Sequence, residues 1–347
     1  MLYFCTYFDS NYLANGLCLN ESLQKYLGNN YHLFILCLDD KTVDVFNQVN
    51  KKNITIIKLG QLEQHNPELL IAKSNRKFYE YYFTLTPHLP LYLIEKYNHI
   101  DIITYVDADI YFYKSPEILI NHLEKSSTLI IPHFFSDANL HLNNYGKYNV
   151  VFNSFKNDIY GVSCLKWWGQ QCINWCYDYV DGDKFADQKY LDQFESKFKG
   201  VKVCTNRGAN LAIFNIDNST LTLKKGVVFV NNDELIFYHF HKLRKLNRHL
   251  YNANFLTPKD YQNKILQSIY TKYIRRIQYY ERRYNLIPNQ TNRYENKYIY
   301  GLGIIEYTLK EPAFYVTQIY SVVINLTNIN RIVKRISKRL KKIALSI

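Results

Sequence analysis

The first half of the chain alternates between strand-like and helix-like patterns of apolar residues. An apolar run at 2–8 is followed by 13–27, where leucines recur at roughly helical spacing, and then by a second apolar run at 31–38. Helix-like 42–50 and strand-like 54–59 continue the alternation. Because crossover helices between successive strands make those strands parallel, this order predicts an α/β fold with a mostly parallel sheet.

The pattern changes between residues 61 and 97. Residues 61–75 are polar, and we expect a loop there. The segment 76–97 has helical periodicity but contains Pro87 and Pro90. Since proline disrupts a helix interior, we predict two helices broken near these residues.

An apolar run over 102–106 leads into two carboxylates, Asp107 and Asp109, and "DIITYVDADIYFY" (101–113) reads as a buried strand. Ligands of open α/β sheets gather beyond the carboxyl ends of the strands. We therefore expect both carboxylates at the functional edge of the sheet.

The chain divides near residue 250, where the pattern becomes helical and charged. We predict a main domain over 1–250, a helical extension over 251–300, and a C-terminal segment over 301–347 that ends in a basic amphipathic helix.

Composition indicates a globular protein with an unevenly distributed charge. The chain has 347 residues, 47% of them hydrophobic, and its 43 Lys and Arg against 30 Asp and Glu give a net charge of +13. Seven of these basic residues lie within 330–347, which contains no acid.

This basic tail has the pattern of a helix that lies in the plane of an anionic membrane surface. Its apolar residues share one helical face, and each basic residue near such a surface adds about 1 kcal/mol. An ordinary C-terminal helix packed on the body is the alternative. Nucleic acid is a disfavoured partner, because the basic residues are not interleaved with aromatic ones. The apolar face consists of Ile329, Ile332, Val333, Ile336, Leu340 and Ile343.

Cysteine usage and the terminus predict a cytoplasmic protein that is peripheral on the inner face of the cytoplasmic membrane. The seven cysteines form no CxxC pair, which is typical of reduced thiols. Residues 1–8 already read as a strand, so we expect no signal peptide. No apolar stretch is long enough to span a membrane.

Two carboxylates one residue apart can both reach Mg²⁺ or Mn²⁺ and leave positions for phosphate oxygens. The structural alternative is a capping or salt-bridged pair in a loop. The apolar strand before Asp107 and the aromatic-rich strand after Asp109 favour the metal site.

Two other classes of phosphate-handling enzyme fit less well. A haloacid-dehalogenase phosphatase has Asp-x-Asp-x-Thr, and Tyr111 occupies the threonine position here. A sugar-phosphate nucleotidyltransferase has a glycine-rich, arginine-bearing loop after its first strand, where this chain has only Gly16.

The order of motifs resembles that of nucleotide-sugar-dependent glycosyltransferases of the GT-A fold, and is similar to glycosyltransferase family eight and its bacterial relatives in surface-polysaccharide synthesis. The resemblance covers residues 3–243. Its segments are "FCTYFDSNYLANGLCLNESL", "YVDADIYFYKSPE", "YNVVFNSFKND", "KFADQKYL" and "FYHFHKL".

The resemblance implies roles for individual residues. The metal would be held by Asp107, Asp109 and His239, with Ala108 between the two acids. Asp187 and Gln188 would line the donor sugar as catalytic residues. The nucleotide would meet the first strand and the turn after it, through Thr6, Tyr7, Phe8, Asp9 and, by stacking on the base, Tyr12.

Two departures from the family pattern change the expected donor site. Lys242 stands where the family has glycine in its closing motif, and no Pro-Trp follows, so Lys242 is a candidate for gripping the diphosphate. Thr84 stands where the family often has a sugar-contacting arginine, for which Arg76 is a substitute, with Lys73 and Glu80 as others. His241, the lesser candidate for the third metal ligand, should point away from His239 if the strand persists.

The resemblance implies a glycosyltransferase, of hexosyltransferase type in EC class 2.4, that uses Mn²⁺ or Mg²⁺. It would move a sugar from a nucleotide diphosphate sugar, UDP-linked in our prediction, to a glycan or lipid-linked acceptor, with retention favoured over inversion. Inversion would need a carboxylate base, for which Asp187 is the candidate. The alternatives are a metal-dependent nucleotidyl- or phosphotransferase, and a catalytically inactive basic scaffold on the membrane.

Overall fold

A computed structural model describes residues 1–245, 250–255, 262–286, 302–307 and 312–315. Its strands are β1 Leu2–Phe8, β2 Tyr31–Cys37, β3 Ile54–Lys58, β4 Ile102–Val106, β5 Ile110–Phe112, β6 Thr128–Pro132, β7 Tyr148–Lys156, β8 Val201–Val203, β9 Leu221–Lys224, β10 Val227–Val230, β11 Asp233–Glu234, β12 Phe237–His239, β13 Arg244–Lys245, β14 Leu250–Phe255, β15 Leu302–Tyr307 and β16 Pro312–Tyr315.

The α-helices are α1 Leu13–Leu27, α2 Asp40–Val49, α3 Leu59–His65, α4 Glu68–Ser74, α5 Phe78–Lys96, α6 Glu117–Asn121, α7 Ile159–Asn174, α8 Phe194–Lys197 and α9 Lys264–Arg283. Short 3₁₀ helices span Asp137–Tyr145, Lys189–Gln193 and Ile216–Asn218.

Seven strands form the central sheet, in the order β3-β2-β1-β4-β7-β6-β8. β1 pairs in parallel with both β2 and β4, and β2 pairs in parallel with β3. β7 is antiparallel to its neighbours β4 and β6, while β6 and β8 are parallel. The predicted α/β class with a mostly parallel sheet is confirmed.

Helices cover both faces of this sheet, so two hydrophobic cores form. In β1, Phe4 contributes to one core and Cys5 to the other. Such alternation follows from the two-residue period of a strand. The core that contains Phe4 includes residues of α1, α2, α6 and α9, and the other includes residues of α3, α4, α5, α7 and α8.

The carboxyl ends of β1 and β4 lie side by side at one edge of the sheet. The two strands are in parallel register, with Tyr3 opposite Ile103 and Cys5 opposite Tyr105. Beyond this edge, β5 pairs with β12 in an antiparallel two-stranded ribbon. The ribbon brings residues 110–112 next to residues 237–239.

Two local predictions are wrong. Residues 61–75 are not a loop, because α3 and α4 occupy most of this range. These helices are short, and few of their side chains are buried, among them Leu62 and Leu69. The sparse apolar positions left too little helical periodicity to read in the sequence.

The predicted break at Pro87 and Pro90 is also absent, since α5 continues through both residues. Each proline removes one backbone donor at a cost of about 3 kcal/mol in an isolated helix. Nearly every residue of α5 from Thr84 to Ile94 is buried, so tertiary packing outweighs that cost.

The C-terminal extension contains the predicted helix, α9, together with strands that the sequence pattern did not indicate. β13, β14, β15 and β16 form a four-stranded sheet in that order. The basic tail at 330–347 lies outside the described residues. Within the described part of the chain, no helix is both long enough and apolar enough to cross a membrane.

Candidate metal and donor site

Asp107, Asp109 and His239 come together at the carboxyl edge of the sheet. Each offers one ligand atom, and the three atoms all lie within 4.8 Å of one another. β4 ends at Val106 and delivers Asp107 directly to this edge, while the ribbon pairs His239 with Ile110, next to Asp109. The predicted metal residues therefore lie together, although more than a hundred positions separate His239 from the two acids in the sequence.

Backbone hydrogen bonds fix the position of both acids. The Asp107 N–H donates to the carbonyl of Val151 at 3.1 Å. The Phe240 N–H donates to the carbonyl of Asp109 at 3.0 Å. The second bond ties the turn that carries Asp109 to the residue that follows His239.

The acid pair and the histidine influence one another's charge. Burial, and then repulsion from Asp109, raises the pKa of Asp107 to about 6. Burial alone would also raise the pKa of Asp109, but the imidazole of His239 offsets this and holds that pKa below its usual value. His239 Nε2 lies 3.4 Å from Asp109 Oδ1, and this contact raises the histidine pKa in spite of burial.

Tyr105 supports Asp107 from within β4. Its hydroxyl donates to Asp107 Oδ1 at 2.9 Å. The tyrosine is fully buried, with 2% of its surface exposed, so the carboxylate is held from the protein side. A carboxylate held in this orientation is preorganised to bind a metal ion.

The donor set fits a divalent cation. Two carboxylate oxygens are hard donors of the kind that Mg²⁺ and Mn²⁺ prefer, and an imidazole nitrogen suits the softer Mn²⁺. His239 Nδ1 is buried without a hydrogen-bond partner among the described residues. Asp107 and Asp109 are also close enough to repel, and a bound cation would relieve this repulsion.

Asp187 is a third carboxyl group near the cluster, and it is more deeply buried than Asp107 and Asp109. Burial raises its pKa to about 7, with the charge of Asp107 acting in the same direction and a hydrogen bond from the Thr86 hydroxyl opposing both. The Tyr7 hydroxyl lies 3.0 Å from Thr86 Oγ1. Trp168 Nε1 donates to the Asp187 carbonyl at 2.8 Å and fixes the backbone at this point. The predicted catalytic acid therefore lies beside the predicted metal ligands.

The Gln188 side chain contacts residues outside the cluster. Its amide Nε2 donates to the carbonyl of Tyr145 at 2.9 Å, and its side chain lies against Gly146. In the structure, then, Asp187 contributes to the buried cluster and Gln188 to the neighbouring surface.

The predicted nucleotide-binding segment lies at the end of β1. Thr6 is buried, and its hydroxyl has no hydrogen-bond partner among the described residues. Phe8 packs against Gly16 of α1 so closely that a Cβ on that glycine would lie 2.2 Å from the ring. Asp9 accepts hydrogen bonds from both the backbone and the side chain of Asn11, and Tyr12 is half exposed.

Arg76 lies apart from the Asp107 cluster. Its guanidinium donates to Thr84 Oγ1 and to the carbonyls of Cys172 and Ile173, at distances of 2.7 to 2.8 Å. It therefore caps the C-terminal end of α7. Of the other two substitutes, Lys73 pairs with Glu63 at 2.7 Å, and Glu80 accepts from the backbone of Lys77.

His241 does not point away from His239. β12 ends at His239, so strand alternation no longer applies, and the two ring centroids are 5.3 Å apart. Burial, and then the charge of His239, lowers the pKa of His241 to about 3. Lys242 follows in a left-handed backbone conformation with φ of 59°, and it is exposed.

Sequence reasoning missed two residues of the site. Tyr105 had a signal, because it stands two positions before Asp107 and a strand places such residues on the same face. Thr86 had none, since a threonine inside a buried helix is an ordinary core residue. Only the folded chain brings Thr86 between Tyr7 and Asp187.

Comparisons with known proteins give two relatives and a fold. No family model matches the chain. The uncharacterized protein YfnD of Bacillus subtilis (strain 168) is 30% identical over 241 residues, which are 69% of this chain and 76% of YfnD. The uncharacterized protein YfnF of the same organism is 31% identical over 245 residues, 68% of this chain and 80% of YfnF.

Among solved structures, the galactosyltransferase LgtC, in complex with donor and acceptor sugar analogues, has a similar fold. The similarity covers 80% of this chain and 95% of LgtC, with a TM-score of 0.51 and 13% identity. At this identity the likeness establishes a shared fold. The mixed α/β architecture with a mostly parallel central sheet is therefore that of a GT-A glycosyltransferase.

Proposed function

For this chain, which belongs to the same protein family as YfnD and YfnF of Bacillus subtilis, we propose the function of a metal-dependent glycosyltransferase. It moves a sugar from a nucleotide diphosphate sugar, UDP-linked in our proposal, to a glycan or lipid-linked acceptor of bacterial cell-surface polysaccharide synthesis.

One observation carries the proposal. Two acids and a histidine converge within 4.8 Å at the carboxyl edge of a sheet that has the GT-A fold. Ligands of open α/β sheets collect at that edge. A third carboxyl group, Asp187, is buried near Asp107, where a donor sugar next to a metal-bound diphosphate could contact it.

In this mechanism Asp107, Asp109 and His239 would hold Mn²⁺ or Mg²⁺. When bound, the cation would supply positive charge that favours departure of the nucleoside diphosphate. Tyr105 keeps the Asp107 carboxylate oriented through its hydrogen bond at 2.9 Å. Exposed Lys242, three residues beyond His239, adds a further positive charge for the diphosphate.

We assign Asp187 and Gln188 to the donor sugar and favour retention at the anomeric carbon. Thr86 holds the Asp187 carboxyl through a hydrogen bond, and the oxygen not so engaged accepts from a sugar hydroxyl. Thr6, Tyr7, Phe8, Asp9 and Tyr12 form the nucleotide side of the same site, together with Ala108. Arg76 stays a candidate on the donor side, since it donates to Thr84 in the helix that also carries Thr86.

The proposal includes a location. The seven basic residues of 330–347 bind anionic lipid at the inner face of the cytoplasmic membrane, where a lipid-linked acceptor would be found.

The test is a turnover assay with Mn²⁺ and a panel of UDP-sugars, on the wild type and on Asp107→Asn. We expect release of UDP by the wild type, and a loss of at least about 100-fold in the variant, since a metal ligand is removed. Release of pyrophosphate would instead indicate a nucleotidyltransferase. Binding of UDP-sugars without turnover, unaffected by Asp107→Asn, would indicate an inactive scaffold.

A further inference from the structure

The ribbon of β5 and β12 begins just after Asp109 and ends with His239, and it packs against α9. Tyr238 precedes His239 within β12, so strand alternation turns it away from the metal cluster. Phe240, the residue after the strand, packs against α9 as well. Tyr111 is the cross-strand partner of Tyr238. A two-stranded ribbon is marginally stable alone, so its shape depends on what lies behind it.

Aromatic residues of α9 form the surface behind the ribbon. The ring of Tyr273 stacks on Phe240, with centroids 3.6 Å apart and planes within 8° of parallel. The Tyr238 hydroxyl donates to the Tyr270 hydroxyl at 3.1 Å. Asn15 of α1 donates to the Tyr273 hydroxyl at 2.9 Å, which fixes that ring in turn. The backbone on both sides of His239 therefore rests on α9.

A charged contact extends the same support to β5. Glu21 of α1 accepts the Tyr111 hydroxyl at 3.1 Å. It also accepts Arg276 Nε at 2.9 Å and the Tyr280 hydroxyl at 2.7 Å, both from α9. One partly buried carboxylate thus joins α1, α9 and the residue two positions after Asp109.

We propose that α9 and Glu21 position the metal ligands, with Glu21, Arg276 and Tyr111 as positioning residues for Asp109 and His239. The inference rests on the proposed function, because it assigns a role toward the metal of that site. The physical reason is that Asp109 immediately precedes β5 and His239 ends the facing strand β12, so their separation changes if the ribbon twists. Partners outside the ligand shell commonly change metal affinity by about 10- to 100-fold.

A role in stability alone would give a different result. If α9 only adds buried surface, loss of the Glu21 contacts lowers the melting temperature and leaves the affinity of the folded protein for a metal unchanged. A positioning role weakens metal binding in protein that is still folded. Metal affinity, measured without donor or acceptor, separates the two.

The experiment measures Mn²⁺ dissociation constants for the full chain by calorimetric titration. Glu21→Gln removes the negative charge and keeps the shape, and we expect about tenfold weaker binding. Tyr111→Phe removes one hydroxyl and keeps the ring, so it tests the same link if Glu21→Gln fails to fold, with an expected loss of roughly threefold.

Glu63→Gln is the matched control. Glu63 also accepts from a lysine and a tyrosine hydroxyl, namely Lys73 at 2.7 Å and Tyr81 at 2.8 Å, but it joins α3, α4 and α5 instead of the ribbon. We expect it to bind Mn²⁺ as the wild type does.

Equal Mn²⁺ affinity of the wild type, Glu21→Gln and Tyr111→Phe would overturn the inference and leave the proposed function standing. Equal weakening by Glu63→Gln would also overturn it, because the effect would then follow from general destabilisation. Failure of the wild type to bind Mn²⁺ would overturn the metal site and the inference together.

Discussion

At the residue scale, the site brings together three acidic side chains, half-buried Asp107 and Asp109 and buried Asp187. Asp107 and Asp187 both have pKa values raised first by burial, to about 6 and about 7, and each is near the other. Such an arrangement costs folding free energy in the metal-free protein. A cluster with only a structural role has no reason to keep residues that cost folding free energy. Their presence therefore indicates a functional site.

The cost predicts that Asp187→Asn stabilises the metal-free protein. The pKa of Asp187 is about 7 in the fold, against 3.8 for an ordinary aspartate. A raised folded-state pKa means that this carboxyl disfavours folding increasingly as pH rises from about 4 to 7, and asparagine removes that effect. The gain should reach at most about 4 kcal/mol, since one pKa unit is about 1.4 kcal/mol.

Thermal denaturation of both proteins between pH 4 and pH 8, with chelator present, checks this. The advantage of the variant in melting temperature should grow up to pH 7 and then level off. An advantage that does not depend on pH would contradict the raised pKa.

The sequence and its family resemblance singled out the three candidate metal residues that converge in the fold, but not the residues that support them. Asp107 and Asp109 follow an apolar strand, and His239 ends another, so each has a local signal. Thr86 and Glu21 have none. Their roles depend on contacts between elements that are distant in sequence, which no local pattern encodes.

At the element scale, the close packing of α1 on β1 fixes the predicted nucleotide side of the site. Gly16 lies against the ring of Phe8, the last residue of β1. A methyl group at this position would enter the ring, so the strand end and the helix could not both keep their places.

We therefore predict that Gly16→Ala destabilises the protein by about 1 to 3 kcal/mol through overpacking. Gly60→Ala is the control, because Gly60 lies in α3 with nothing within 4 Å of an added Cβ. Alanine has the higher helix propensity, so this control should be neutral or slightly stabilising. Urea denaturation compares the two, and equal effects would contradict the packing argument.

Which elements could be predicted depended on how much of each is buried. Buried strands such as β4 give continuous apolar runs, and the amphipathic α1 gives periodic leucines, so both were found. The short helices α3 and α4 bury few residues, so the sequence pattern predicts a loop in their place. The sequence predicts two helices in place of the continuous α5, because its prolines indicate a break. No local pattern shows the packing that stabilises the unbroken helix.

At the scale of the whole molecule, the C-terminal part does more than extend the domain that contains the central sheet. α9 packs on α1 and on the ribbon, so it shares a core with the central sheet. The predicted boundary near residue 250 follows a change in composition, and it crosses this shared core. Composition indicates how exposed a segment is, but it does not reveal which elements the segment contacts. The contact between α1 and α9 is therefore not apparent from the sequence.

The basic tail gives a prediction for the full chain. Replacing the seven basic residues of 330–347 with glutamine should reduce binding to phosphatidylglycerol vesicles by at least about 100-fold, since each contributes about 1 kcal/mol. Co-sedimentation with anionic and neutral vesicles measures this. Equal binding of the full chain to both kinds of vesicle would contradict a membrane role.

The most direct test of the account is the affinity for Mn²⁺ of the wild type, Asp109→Asn and Asp101→Asn. Asp101 is exposed and precedes the opposite end of β4, so it controls for a lost charge away from the cluster. The account predicts one Mn²⁺ per chain in the wild type and in Asp101→Asn, and binding at least about 100-fold weaker in Asp109→Asn. Equal affinities for all three proteins, or no binding by the wild type, would contradict it.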